Sequence, residues 1–189
     1  MKLLIPPVIA LKVPLRLLLI CRRDNDMNDK LLDIAVFVDV QNIYYTTKQA
    51  FKKSFDYRKF WRHLETQGHI KWAKAYAIDR GDAKQLAFQS ILRNIGFDVQ
   101  LKPFIQRSDG SAKGDWDVGI TIDVMRIAPT VDQVILLSGG CDFDLLMQHI
   151  KKAFNITTEA YGVASLSADS LIASVDTFIP IDSQDLIRH

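Results

Sequence analysis

Three short segments of this 189-residue chain carry aspartates at positions that suit metal chemistry. They are Asp-Val-Gln-Asn over residues 39–42, Lys-Gly-Asp-Trp-Asp-Val over residues 113–118, and Leu-Ser-Gly-Gly-Cys-Asp-Phe over residues 137–143. Carboxylate oxygens are the ligands that Mg²⁺ and Mn²⁺ prefer, and these ions keep several of their waters. Carboxylates from separate segments can hold one or two such ions, which activate water for in-line attack at phosphorus. We therefore predict Asp39, Asp117 and Asp142 as catalytic, metal-binding residues.

Each of these aspartates also has an ordinary structural explanation when it is considered alone. Asp39 and Asp142 could cap helices, and Asp117 could be an acid that the helix dipole favours in a first turn. These explanations weaken if the three side chains meet, because a charge at the rim of a buried core is costly unless it is paired. Ser138 is a supporting polar residue that could orient an aspartate or bind a phosphate.

The elements that must position these residues alternate between strand and helix. Apolar runs predict strands over residues 34–38, 70–78, 97–101, 133–137, 156–161 and 177–179. Periodicity and capping residues predict helices over residues 43–53, 57–67, 83–94, 115–128, 142–154 and 167–174, with Asn42 as the cap of the first. This alternation predicts an α/β fold, a Rossmann-like three-layer domain with a mainly parallel sheet. Such sheets carry their sites at the carboxyl ends of the strands, where Asp39 and residues 138–142 fall.

Charge is distributed unevenly along the chain. Residues 48–113 contain 14 Lys/Arg against 6 Asp/Glu, whereas residues 114–189 contain 4 against 11, although the net charge is only +2. A basic half and an acidic half suit a protein that binds a polyanion on one surface and cations on another. Solvated helix faces explain the basic half equally well. The candidates for phosphate contacts are the basic residues near strand ends, Lys113, Arg80, Lys84 and Arg107.

Other catalytic classes are poorly supported. Cys21 and Cys141 form neither a disulfide framework nor a zinc motif, so a reducing, cytoplasmic setting is expected. Gly140-Cys141 at a strand-to-helix turn is only superficially like a nucleophile elbow, because His149 lies two turns along the same helix and faces elsewhere. A phosphatase of the haloacid dehalogenase type would need a second aspartate at position 41, which is glutamine.

The first thirty residues differ from the rest of the chain. Residues 1–21 are apolar but contain three prolines together with Lys12 and Arg16, which argues against a membrane helix and against a signal peptide. We interpret residues 1–30 as an extension, residues 31–183 as the domain and residues 184–189 as a tail. A chain that starts at Met27 should be as stable and as active as the full one. The competing interpretation is a membrane-associating tail, although stable membrane association is not expected.

The segments, in this order, resemble the NYN domain family, and in particular its LabA-like branch. The resemblance rests on Asp-x-x-Asn after the first strand, Lys-Gly-x-x-Asp-Val with a further Asp six residues after its own, and Leu-Ser-Gly-x-x-Asp-Phe, and it extends over about residues 34–181. It implies a PIN-like fold related to the flap nucleases. It also implies cleavage of RNA, expected to be single-stranded, with Mg²⁺ or Mn²⁺. Whether the chain forms a homo-oligomer is left open by the sequence.

Carried over residue by residue, the resemblance marks Asp39, Asn42, Asp117 and Asp142 as the acidic site with its polar neighbour. Asp123 matches a further recurring acid and is a fourth candidate for metal binding. The family usually has Ser-Gly-Asp-x-Asp-Phe, whereas this chain has Gly140 in place of the first aspartate. Loss of that carboxylate should weaken a metal, above all a second ion. The alternative to a ribonuclease is therefore a weakly active or inactive module that binds RNA or a protein partner in regulation.

Overall fold

A computed structural model of the protein describes residues 31–79, 81–103, 105–106, 112–113 and 115–188. The strands, in chain order, are β1 (Leu32–Asp39), β2 (Gly68–Asp79), β3 (Asp98–Pro103), β4 (Ile105–Gln106), β5 (Ala112–Lys113), β6 (Gln133–Leu137), β7 (Thr157–Gly162) and β8 (Thr177–Pro180). The helices are α1 (Val40–Phe51), α2 (Tyr57–Gln67), α3 (Ala83–Ile95), α4 (Asp117–Ile127), α5 (Asp144–Phe154) and α6 (Asp169–Ser174).

The main sheet is parallel throughout and has the strand order β3-β2-β1-β6-β7-β8. In this sheet, β2 and β3 lie on one side of β1, whereas β6, β7 and β8 lie on the other. The strand order therefore reverses between β1 and β6. Val38 pairs with Leu137 at the carboxyl ends of these two strands. The helix α1, which begins at Val40 directly after β1, and the loop that begins at Ser138 therefore diverge from one crevice, where α/β sheets place their ligands.

Two hydrophobic cores lie on the two faces of the sheet. Side chains of a strand alternate between faces, so Val36 and Val38 pack in one core with residues of α1, α2 and α3. Phe37 packs in the other core with residues of α4, α5 and α6. The three-layer α/β fold predicted from the sequence is confirmed.

The structure corrects the first helix start and adds a hairpin. The predicted cap was Asn42, but α1 begins at Val40 and its cap is Asp39, whose carboxylate accepts a hydrogen bond from the Asn42 backbone N–H. Between the predicted third strand and the predicted fourth helix, where sequence analysis placed no element, the structure has the antiparallel pair of β4 and β5. In the region set apart as a tail, Leu186 is buried in the core beneath α2, and the Ile187 N–H donates to the Ser54 carbonyl at 2.9 Å.

Within the described part of the chain, no helix combines the length and the apolar character needed to cross a bilayer. The extension predicted over residues 1–30 lies outside the described residues, as does His189.

Candidate metal site

Asp39 lies at the point where β1 becomes α1, and its carboxylate is held from both sides of the crevice. One oxygen accepts the Asn42 backbone N–H at 3.1 Å, as a helix cap. The other accepts the Ser138 hydroxyl, with Oγ to Oδ2 at 3.4 Å. A role of Asp39 as a helix cap is therefore compatible with a role as a metal ligand, because carboxylate oxygens have further lone pairs available for a ligand.

The loop after β6 is tied to the first turn of α1 by a hydrogen bond between backbone and side chain. The Gly139 N–H donates to Asn42 Oδ1 at 2.9 Å, and the Gly140 N–H donates to Ser138 Oγ at 3.2 Å. A side chain at Gly139 would clash, since its Cβ would lie 2.7 Å from Ser167 Oγ and 3.1 Å from Ser167 Cα. Asn42 and Ser138 thus join the first turn of α1 to the loop after β6, and both donate hydrogen bonds to Asp39.

Gly140 is not required by the backbone. Its φ of −71° and ψ of 138° are extended values that any residue adopts. A Cβ there would have its nearest contacts at ordinary distances, 3.6 Å from Ser138 Oγ and 3.8 Å from the Phe143 ring. An aspartate, the residue that the family usually has at this position, would therefore fit without strain.

The three predicted aspartates influence one another electrostatically. Burial, opposed by the Asn42 N–H and reinforced by the negative charge of Asp117, raises the pKa of Asp39 to about 6. Burial, followed by the charges of Asp142 and Asp115, raises the pKa of Asp117. Asp117 is the first residue of α4, and Asp142 lies in the 3₁₀ turn Cys141–Phe143 after β6. The fold thus brings together negative charges that disfavour one another.

The donor set fits a hydrated hard cation better than a closed cage. Within the described residues, no three His, Cys, Asp or Glu side chains are arranged so that they could hold a metal ion together. The charge of Asp117 acts on Asp39, and that of Asp142 acts on Asp117, so Asp117 is the member shared by both pairs. Oxygen ligands contributed singly, with waters filling the other positions, are the usual coordination of Mg²⁺.

Asp123 is not brought to the other three aspartates. Its carboxylate accepts the Tyr76 hydroxyl at 2.8 Å and lies 3.0 Å from Lys74 Nζ and 2.7 Å from Arg126. Burial works against its ionisation, but the bonds from Tyr76, Lys74 and Arg126 outweigh burial and lower its pKa. The helical geometry explains the separation, because six residues past Asp117 is about 120° around the axis.

Lys102 is a basic neighbour of the site that sequence analysis missed. Its Nζ donates to the Asp115 carbonyl at 2.9 Å and lies 5.3 Å from the centre of the Trp116 ring. Its charge also acts on Asp117, where it opposes the rise in pKa. The available signal was its position directly after the predicted third strand, at the same sheet edge as Asp39.

The structure describes two of the four basic residues that were predicted to contact phosphate. Lys84 lies in the first turn of α3, and Lys113 is part of β5. Arg80 and Arg107 lie outside the described residues. Trp116, between Asp115 and Asp117, is half-buried: its indole N–H donates to the Ala77 carbonyl at 2.9 Å and its ring packs on Tyr76.

Comparison with known proteins shows the family to which the chain belongs. The chain is 26% identical over 149 residues to the low amplitude and bright protein LabA of Synechococcus elongatus, covering 74% of this chain and 76% of that one. A crystal structure of VPA0982 from Vibrio parahaemolyticus, a protein of unknown function, is 50% identical with a TM-score of 0.80, covering 84% of this chain and 98% of that one. The NYN domain model matches residues 33–182. The chain therefore belongs to the NYN domain family, with the nuclease-like, RNA-related character of that family.

Proposed function

We propose that the protein is a ribonuclease that uses Mg²⁺ or Mn²⁺ to hydrolyse phosphodiester bonds of single-stranded RNA. The observation that supports the proposal is electrostatic: the charge of Asp117 acts on Asp39, at the carboxyl end of β1, and the charge of Asp142 acts on Asp117. Burial and this repulsion raise the pKa of Asp39 and Asp117. A bound cation would relieve both effects, because its positive charge would offset the cost of burying unpaired negative charges.

The chain's own residues would perform the positioning. When bound, the cation supplies an activated water and stabilises the charge that develops on the phosphoryl oxygens. Asp39, at the end of β1, and Asp142, in the turn after β6, would hold the cation, and Asp117 would hold it from the start of α4. Ser138 and the Asn42 N–H keep the Asp39 carboxylate in place. Lys102, close to Asp117, offsets the repulsion between these acids and an approaching phosphate.

A second function is favoured by one feature, the glycine at position 140. With one carboxylate fewer than the family usually has, the site is expected to hold a second ion weakly. The protein would then bind RNA, or a protein partner, and cut little. Retention of Asp39, Asp117 and Asp142 favours activity over this alternative.

The test is a metal titration of cleavage, with labelled single-stranded RNA as substrate. We expect the wild type to cut slowly, to need high metal concentration, to favour Mn²⁺ and to be inactive in EDTA. Gly140→Asp should lower the metal concentration required and raise the rate about tenfold, which corresponds to about 1.4 kcal/mol in the barrier. Its backbone and its ordinary Cβ contacts allow this change.

Gly140→Asn is the matched control, because it adds nearly the same shape without the charge. It should leave the metal requirement close to that of the wild type. Circular dichroism establishes that each variant is folded. If Gly140→Asp folds normally and neither it nor the wild type cuts RNA at any metal concentration, the ribonuclease proposal fails and the binding function takes its place.

A further inference from the structure

A groove of about 580 Å³ opens on the same side of the sheet as α1 and α3. We call it the tyrosine groove; α1, α3, the segment before α2 and the end of β2 form it, and its lining includes Tyr44, Tyr45, Tyr57, Lys84, Phe88 and Gln89. Its volume lies within the range of about 300–1,000 Å³ that is usual for small-molecule sites.

The tyrosine groove adjoins the acidic site. Val40 and Gln41, the two residues after Asp39, line it, as do Ala77 and Ile78 near the end of β2. Tyr57 also lines the groove. Burial is the main cause that raises the pKa of this tyrosine, and the negative charge of Asp39 is the second. A nucleotide whose phosphate lies at Asp39 would therefore have its base within reach of the groove.

Gln89 is the unusual member of the lining. It is only 2% exposed, and neither its amide nitrogen nor its amide oxygen has a hydrogen-bond partner among the described residues. Buried amides are almost always hydrogen-bonded, because leaving one unpaired costs free energy. A primary amide presents a donor beside an acceptor, and the polar edge of a nucleobase presents the complementary pair. The amide is thus matched to a ligand of that kind.

The rest of the lining suits a base that is joined to a phosphate. Tyr44 is 51% exposed, and its ring lies edge to face with that of Tyr45 at a centroid separation of 5.4 Å, so part of the Tyr44 ring surface remains available for stacking. Lys84 and Arg58 add positive charge. The two acids of the lining, Asp56 and Asp82, are turned to the helix starts that they cap.

We propose that the tyrosine groove binds one unstacked nucleobase of the RNA, with Gln89 forming hydrogen bonds to the polar edge of the base and Tyr44 stacking on it. The inference rests on the proposed function for the nature of the substrate. It makes Gln89 the residue that determines which base is accepted beside the bond to be cut. An apolar peptide segment is a poorer occupant, because it would cover the tyrosines and leave the amide unpaired.

The experiment is a set of NMR titrations in EDTA with the four ribonucleosides, using free ribose as the base-free probe. We expect saturable binding of nucleosides, with one base preferred, shift changes in α1 and α3, and no saturable binding of ribose. Gln89→Leu should weaken the preferred nucleoside about tenfold and abolish the preference among bases. Tyr44→Ala combined with Tyr45→Ala should weaken all the nucleosides that bind.

Gln148→Leu is the matched control, because Gln148 lies on α5, on the other face of the sheet. It should bind nucleosides as the wild type does. Gln89→Leu should melt no lower than the wild type, since it removes an unpaired buried amide. The wild-type titration tests the proposal even if that variant does not fold. Nucleosides that bind no better than ribose would overturn it and leave the groove to a peptide.

These titrations separate the groove from the ribonuclease activity, because they need neither metal nor cleavage. Base-selective binding that depends on Gln89, in a protein that never cuts RNA, would uphold the groove and refute the ribonuclease proposal. Cleavage with the same base preference in the wild type and in Gln89→Leu would refute the groove and leave the ribonuclease proposal standing.

Discussion

The fold treats two groups of carboxylates in opposite ways, and each has a member on α4: Asp123 forms one group, and Asp39, Asp117 and Asp142 form the other. Asp123 is satisfied within the protein by Lys74, Arg126 and Tyr76, and its pKa is lowered. Asp117, at the start of the helix, faces other acids, and burial together with those acids raises its pKa. The charge of the first group is neutralised by basic side chains of the protein, and that of the second group is not. The contrast teaches that an aspartate selected by a sequence pattern is a candidate ligand only if no group of the protein itself neutralises its charge.

The sharpest break between the two groups should be in catalysis. Asp39→Asn should reduce metal-dependent RNA cleavage about 100-fold or more, because a carboxylate ligand contributes several kcal/mol to a metal-assisted barrier. The fold should survive, since asparagine also caps helices well. Asp123→Asn, assayed at a temperature where it is folded, should keep cleavage within about threefold of the wild type. Equal losses in the two variants would contradict the distinction.

The pH dependence of stability should also have opposite signs in the two groups. The pKa of Asp39 rises from 3.8 to about 6 on folding, so the folded state binds the extra proton between these values. Stability attributable to Asp39 should therefore fall as pH rises from about 4 to 6, by about 3 kcal/mol at most. The lowered pKa of Asp123 works the other way, and its contribution is lost as pH falls below 3.8.

Urea unfolding in EDTA at several pH values measures this difference. The free energy of unfolding of the wild type, minus that of Asp39→Asn, should decline between pH 4 and pH 6 and stay level above about pH 6.5. Asp123→Asn keeps Asp39, so its free energy of unfolding, minus that of Asp39→Asn, should show the same decline between pH 4 and pH 6. A difference that does not change with pH would show that Asp39 is not perturbed by its surroundings.

Removal of the paired carboxylate should cost stability instead of activity. Asp123→Asn leaves Lys74, which is only 7% exposed, with Asp98 as its remaining acidic partner at 3.4 Å. We expect a loss of about 2 kcal/mol in the free energy of unfolding, less than for a fully buried pair because Asp98 remains. Adding Lys74→Met should recover part of the loss, since it removes the buried charge. An Asp123→Asn variant as stable as the wild type would mean that the cluster contributes nothing.

The smallest effect should be the response of thermal stability to metal. A cation at ten times its dissociation constant adds about 1.4 kcal/mol, or about 3–6 °C in melting temperature for a domain of this size. Asp142→Asn should lose most of the shift, whereas Asp123→Asn should retain it. Thermal melts in EDTA and in millimolar Mg²⁺ or Mn²⁺ provide the measurement. No shift in the wild type would argue against a cation at the crevice.

The positions of the acids could be predicted, but not the surroundings of each one. Asp39 and Ser138 follow apolar runs that are long enough to be buried strands, and the ends of parallel strands share an edge. Gly140 was visible as a departure from a family pattern, yet its extended backbone was not. Asn42 illustrates the limit, because its amide was predicted to cap α1 and instead accepts the Gly139 N–H, 97 residues away in sequence.

Periodicity, capping residues and turn residues act within a few positions of the chain, and they were enough to determine the alternating elements, the parallel sheet and the edge that carries Asp39 and Asp142. Only the tertiary structure decided which charges meet. Lys74 and Tyr76 point from β2 towards α4 because side chains two apart share a face of a strand, and this pairing neutralises Asp123. The packing of α3 likewise buried Gln89 without a partner among the described residues. Both outcomes depend on distances between segments far apart in sequence, which local patterns do not contain.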